Sequence, residues 1–334
     1  MNSIYINSIK HISAQKPLSD EWFDEPVQNS ENYVRATDPD FKQYFAPNTA
    51  RRLGKILKRA LLVSQAAMKN DDVSQPDAII TGTGLGCIEN TELFLDKMVR
   101  EGEELLNPTQ FMQSTHNTVS SLVAIEAKCH NYNMTYSHKG ISFECALQDA
   151  FLQMQSGKIQ NALVGAHDEM TPAYFTLLKK VGYLGQSNQT FAGESAVAMM
   201  LSNRKAKNTF CKIDAIEKVY NGFGLPVKPA MTYTGIDFVM VGTNGVAEND
   251  NIYFENCVRL FPNVPLLQYK HIFGESYTAP AFGVYAAALC LKNGKIPGFL
   301  FAEKGADCKL ASAKILCYNQ FEGKNHTFIL LSNV

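Results

Sequence analysis

Isoleucines at positions 4, 6 and 9, with Tyr5 between them, give residues 3–9 the alternation of a strand. Residues 14–45 lose all period. They are polar, are interrupted by Pro17, Pro26 and Pro39, and predict a long surface excursion. Helical spacing resumes through Arg52, Ile56, Ala60 and Ala66, with Asn48 or Thr49 as the predicted N-cap. Asp77-Ala-Ile-Ile-Thr-Gly-Thr-Gly-Leu-Gly86 predicts a short buried strand closed by a glycine turn. A helix from about Asn90 to Arg100 follows. Further strands are predicted over Ala162–Gly165, Ala196–Leu201, Lys212–Val219 and Phe328–Leu331. Ala279–Leu291 is rich in small residues and reads as a helix buried on most sides. Strands alternating with helices predict an α/β fold with mixed sheets.

Asp237-Phe-Val-Met-Val-Gly-Thr-Asn-Gly245 repeats the pattern of Asp77–Gly86: an aspartate, a run of apolar or neutral positions, then Gly-Thr and a further glycine. This faint repeat points to two halves of related construction. Between the copies, Asn133-Met-Thr-Tyr-Ser-His-Lys-Gly140 reads as a strand turning sharply into an amphipathic helix that ends near Gly157. Many enzymes present a nucleophile on such an elbow, because a helix N-terminus lowers a thiol pKa and stabilises an anion. Here the elbow carries Gly140, which has no reactive side chain.

A chain of 334 residues suffices for one large domain or two fused halves. A formal net charge of −1 offers no argument for nucleic acid or an anionic membrane as partner. Basic residues do gather at Arg51, Arg52, Lys55, Lys58 and Arg59, either as a solvated helix face or as a docking patch for an acidic partner. The opening residues lack the apolar run and cleavage site of a signal peptide. No stretch approaches the ~20 apolar residues of a membrane span. The cysteines form no Cys-x-x-Cys pair, which argues against a zinc site or a disulfide framework and for a reducing, cytoplasmic setting.

Gly82-Thr-Gly-Leu-Gly86 invites a dinucleotide reading, but its third glycine is misplaced for that fingerprint. A tight turn close to another element is the simpler account. There is no Gly-x-Ser-x-Gly elbow, Walker loop or His-Glu-x-x-His motif. His116, His130 and His138 lack metal-like spacing. No cofactor and no metal are expected.

Taken in order, these segments resemble the β-ketoacyl-acyl-carrier-protein synthases of the thiolase superfamily. Ser3–Ser13 is similar to the family's first strand, and Asp77–Gly86 to its Gly-Thr-Gly strand. Asn133–Glu169 resembles the nucleophile strand, its helix and the stretch that follows. Phe191–Ala196, Asp237–Asp250 and Lys270–Pro280 resemble three further blocks, and the tail from Asn319-Gln-Phe-Glu-Gly323 resembles a degraded closing strand. The resemblance implies a thiolase-like α/β fold of two pseudo-duplicated halves in a five-layered α/β/α/β/α arrangement. The halves would be residues 1–205 and a shortened 206–334.

The family's chemistry needs a cysteine that accepts the acyl chain and two histidines that polarise a malonyl thioester and stabilise the enolate. Carried over position by position, the cysteine falls on Gly140, the first histidine on Gly242 and the second on Glu275. The supporting lysine survives as Lys270, a partner in charge for Glu275. The resemblance therefore implies a non-catalytic, chain-length-factor-like partner of a condensing enzyme in fatty acid, polyketide or aryl-polyene-type biosynthesis. It would pair with an active synthase, use Asn133–Tyr136 as the dimer strand, and dock an acyl carrier protein through Arg51, Arg52, Lys55 and Lys58. An active synthase or acyltransferase with Cys145 as a relocated nucleophile, and His138 or His271 as relocated partners, is the alternative; Cys145 reads more simply as a small core residue. An acyl-thioester-binding homodimer is a third.

Overall fold

The computed structural model describes residues 3–104, 106–184, 190–221, 226–303 and 305–334. A first series runs β1 (Ile4–Ile12), α1 (Pro47–Arg52), α2 (Lys55–Asn70), β2 (Ala78–Gly82), α3 (Ile88–Glu101) and α4 (Pro108–Ser114). It continues through α5 (Thr118–Glu126), β3 (Tyr132–Tyr136), α6 (Ser142–Gln155), β4 (Asn161–Asp168), α7 (Pro172–Lys180) and β5 (Ser195–Ser202). A second series runs β6 (Cys211–Tyr220), β7 (Phe238–Val241), α8 (Ala247–Leu260), β8 (Leu266–Gln268), α9 (Lys270–Phe273) and α10 (Pro280–Asn293). It closes with the two short strands β9 (Lys295–Ile296) and β10 (Cys308–Lys309), then β11 (Lys314–Phe321) and β12 (Asn325–Ser332).

The strands form one sheet in the order β3-β2-β4-β5-β1-β6-β12-β11-β7-β8, with β9 and β10 paired separately. Outward from the β1–β6 junction, both halves have the same plan. The first strand pairs antiparallel with the last (β1–β5, β6–β12), and the last antiparallel with its predecessor (β4–β5, β11–β12). The two outer pairings are parallel in each half. The faint repeat in sequence is thus a repeat in topology, with Asp77–Gly86 and Asp237–Gly245 at equivalent places. The second half, though short, keeps all five strands. Only Ile4–Ile6 of β1 pair with β6, between Ile213 and Cys211.

Side-chain alternation sorts the helices into layers. Ile80 of β2 faces a core shared with Phe143 and Leu147 of α6, Phe282 and Leu289 of α10, and Met240 and Ile315 of the second half. Its neighbour Ile79 faces the other way, onto Leu61 and Val63 of α2 and Val123 of α5. On the second half, α8 places Tyr253 and Cys257 against Val239, Leu316 and Phe328. The layers are α2/α5, the first-half strands, α6/α10, the second-half strands of the same sheet, and α8: the five-layered arrangement. Strands covered on both faces explain the near-continuous apolar runs of β4 and β5.

Two expectations change. The helix placed through Arg52 and Ile56 is two helices. Pro47, preset for a helix N-terminus, starts α1 with Ala46 as the cap residue, so Asn48 and Thr49 lie inside it. Leu53 is then extended and Gly54 caps α2. The excursion over 14–45 is not confined to the surface. Trp22 is 1% exposed and donates its indole N–H to the Tyr285 hydroxyl at 3.0 Å. The Gln15 amide donates to the carbonyl of Ile272 at 2.8 Å. Isolated apolar residues without a period gave no sign of this strap, because its partner, α10, is remote in sequence. Among the described residues no helix is long and apolar enough to cross a membrane.

Candidate functional site

β3 runs parallel to β2 and delivers the chain to a tight elbow. Lys139 takes a positive φ of 49°, and Lys139–Ile141 forms a single 3-10 turn before α6. Ser142 locks the elbow: its hydroxyl accepts from the His138 N–H at 2.8 Å and donates to the Lys139 carbonyl at 2.7 Å. Gly140 sits buried at the turn. A Cβ added there would lie 2.3 Å from Cδ2 of Phe321, the last residue of β11. The space for a side chain is therefore taken by an aromatic ring.

Gly242 follows β7. A Cβ there would meet the hydroxyls of Tyr253 at 2.8 Å and Tyr269 at 3.0 Å, and Oδ1 of Asn319 at 3.1 Å. Glu275 follows α9 and is held by backbone bonds in both directions, its N–H to Phe191 and its carbonyl to the Gly193 N–H. Its carboxylate takes a 2.6 Å ion pair from Lys270, with both side chains almost wholly buried.

The three positions converge. Asn319 donates to the Gly140 carbonyl at 3.1 Å and to Glu144 at 2.5 Å, and accepts from the Tyr253 hydroxyl at 2.8 Å. It joins the Gly140 and Gly242 positions with one side chain. A cavity of about 290 Å³ lies alongside, lined by Tyr183, Asn244, Lys270, Glu275, Gln320 and Phe321 among others. Burial raises the Tyr253 and Tyr269 phenols well above their usual range, so both are neutral donors. Burial also pushes the Glu144 carboxyl up to about 7, and its second oxygen has no hydrogen-bond partner among the described residues. Sequence reasoning missed Glu144, Tyr253, Tyr269 and the ring of Phe321. The only signal was the tail motif Asn319-Gln-Phe321, which marks a strand end without saying where its side chains go.

Cys145 lies on α6 at 5% exposure. Burial raises its thiol pKa, although Lys218 donates to its Sγ at 3.2 Å and pulls the other way. It does not line the cavity beside Lys270. His138 is exposed at the elbow, and its ring neighbours Tyr136. His271 bonds the Phe299 carbonyl at 3.0 Å and lines a separate polar cavity with Thr243 and Asp250. Neither histidine stands with Cys145.

The glycine loop after β2 already holds an anion of its own. The Asp168 carboxylate accepts from the Thr83 hydroxyl and from the N–H groups of Gly84 and Leu85, each at 2.9 Å. Those donors are the ones a pyrophosphate would need. A Cβ on Gly82 would lie 2.5 Å from the Ser142 backbone, so the glycine serves close packing of strand on helix. Arg51 and Arg52 are exposed at the end of α1, while Lys55 and Lys58 are half-buried on α2. The Lys58 ammonium sits 5.6 Å above the Phe41 ring. Arg59 is different: buried, it pairs with Asp38 and Glu194. Among the described residues no group of three His, Cys, Asp or Glu side chains could hold a metal.

Fold and site define a two-halved, thiolase-type scaffold in which Gly140 and Gly242 are packed by aromatic side chains and Glu275 is paired with Lys270. Residues 22–221 match the β-ketoacyl synthase N-terminal domain, and the chain belongs to that family. Comparison with curated proteins finds no match. Among solved structures, it is similar to the ishigamide ketosynthase/chain length factor, with a TM-score of 0.81 at 15% identity over 100% of this chain and 99% of that one. It is also similar to a ketosynthase in complex with its chain length factor from Xenorhabdus doucetiae, with a TM-score of 0.79 at 14% identity over 100% and 98% of the two chains. A third likeness, with a TM-score of 0.76 at 10% identity and full coverage of both chains, is to a type II polyketide acyl-carrier protein in complex with its ketosynthase.

Proposed function

We propose that this chain is a non-catalytic, chain-length-factor-like subunit that pairs with an active β-ketoacyl synthase acting on carrier-bound acyl chains. One observation carries the reading. By resemblance the family's cysteine and two histidines fall on Gly140, Gly242 and Glu275, and the space at each is taken: at Gly140 by the Phe321 ring, at Gly242 by Tyr253 and Tyr269, and at Glu275 by its pair with Lys270. Such a centre has neither a thiolate to take an acyl group nor imidazoles to stabilise an enolate.

The partner would dock along β3, the edge strand of the sheet, where Tyr132 and Met134 are 38% and 39% exposed. An unpaired edge with apolar side chains invites strand pairing. The acyl carrier protein, an acidic partner, would meet Arg51, Arg52, Lys55 and Lys58. The division into halves would fall near residue 205, between β5 and β6.

The test is intact mass after incubation with acyl-carrier thioesters, beside an active synthase as control. The expected result is no adduct on this chain, together with a stable complex when it is co-expressed with a condensing enzyme. A second reading rests on the Lys218–Cys145 contact, which places a cation on a thiol at 3.2 Å. An adduct that vanishes in Cys145→Ala would establish that reading instead. A stable homodimer that binds acyl thioesters and ignores a synthase would point to an acyl-binding protein.

A further inference from the structure

The cavity beside the filled centre has an unusual charge pattern. Among the described residues twelve line it, and Lys270 is the only cation of these. That cation is already committed, 2.6 Å from Glu275, inside protein. Two more carboxylates stand at the mouth: Glu248 in the first turn of α8 and Glu322 in the turn between β11 and β12, both exposed. The remaining polar lining is neutral, from Tyr183, Asn244, Asn249 and Gln320.

We infer that this cavity selects by charge, admitting an uncharged acyl thioester and excluding one that ends in a carboxylate. The inference rests on the acyl-handling role proposed above and names the ligand class of that site. An incoming carboxylate must exchange water for a donor or a cation. Lys270 could serve only by releasing Glu275, which would leave a buried, unpaired charge in place of a buried pair. Glu248 and Glu322 would repel the anion as it approaches, over distances that salt screens. A neutral acyl thioester meets none of these costs and finds amide and phenol partners. Extender units that carry a carboxylate would therefore be handled by the partner subunit alone.

The test compares two hydrolysis-resistant, amide-linked probes of similar size, butyryl-pantetheine and malonyl-pantetheine, by calorimetry on the full chain. Butyryl is expected to bind at least about tenfold more tightly, with the gap narrowing at high salt. The double variant Glu248→Gln/Glu322→Gln leaves the buried pair intact and should narrow the gap without loss of folding. Glu275→Gln should narrow it further. Equal binding, or tighter malonyl binding, overturns charge selection and leaves the acyl-handling role standing. Binding of neither probe overturns both.

Discussion

The loops after β2 and β7 occupy equivalent places in the two halves, and each is closed by an aspartate. They are closed at very different range. In the first half, Asp168 arrives from the end of β4, is 1% exposed, and ties Thr83, Gly84 and Leu85 across more than eighty positions of sequence. In the second, Asp250 sits one turn into the following helix and accepts from Asn244 and Gly245, six and five positions away. One is a tertiary lock; the other is a local staple from helix to loop. The first half also holds the buried carboxyls Glu144, Asp168 and Glu169, while the second packs Tyr253, Tyr318 and Phe328 together and keeps its buried charge as the Lys270–Glu275 pair. A repeated topology therefore does not require a repeated core: single carboxyls are buried in the first half, and an aromatic cluster with one ion pair in the second.

The sharpest way to break this comparison is to remove both aspartates in turn. Asp168→Ala strands three buried donors and should cost about 3–5 kcal/mol in urea unfolding. Asp250→Ala should cost only about 1–2 kcal/mol, for two lost hydrogen bonds at a part-buried site. Equal losses would mean that the two loops are held alike.

The buried carboxyls come next. The Glu144 carboxyl is raised in the folded chain from 4.5 to about 7, so the native state holds an extra proton between those values. Its contribution to stability is full below about pH 4.5 and is lost as the pH rises through about 7. Glu144→Gln should remove that slope, worth on the order of 3 kcal/mol across the window. Paired melts at pH 5 and pH 7.5 would read it. His11 and His167 oppose the carboxyls in the wild-type curve. Burial lowers them to about 4 and about 3, so their share is present above about 6.5 and is lost as the pH falls toward those values. The difference between wild type and Glu144→Gln isolates the carboxyl from them.

Refilling the elbow has a smaller effect. Gly140→Cys pushes a side chain into the Phe321 ring and should cost about 1–3 kcal/mol. Combined with Phe321→Ala, the cost of the cysteine should largely disappear, giving a coupling of at least about 1 kcal/mol in a double-mutant cycle. Additive losses would remove the ring from the account of the site. The smallest effect on stability belongs to the exposed arginines. Arg51→Glu/Arg52→Glu should change folding by under about 0.5 kcal/mol yet weaken binding of an acyl carrier protein, most strongly at low salt.

Much of this was legible in the chain. The apolar runs of β2, β4, β5, β6 and β12 and the small-residue helix α10 are local patterns, and they appear where periodicity places them, within a few residues. The repeat of Asp77–Gly86 at Asp237–Gly245 anticipated the doubled topology. The strap over 14–45 did not show itself, because Trp22 and Gln15 are buried by partners that periodicity cannot see. Nor did the break between α1 and α2, where Pro47 and Gly54 overrode the caps that Asn48 and Thr49 offered.

The sequence by itself determined the order of strands and helices and the glycines at 140 and 242 that leave room without a side chain, since both are read along the chain. What took that room was decided only in three dimensions. Asn319 reaches Gly140 from 179 positions away, and Phe321 arrives beside it because β11 pairs with β7 and ends over the elbow. A missing side chain is a local fact. The ring that fills its space is a fact of packing, and packing is settled by which surfaces the sheet and its helices bring together.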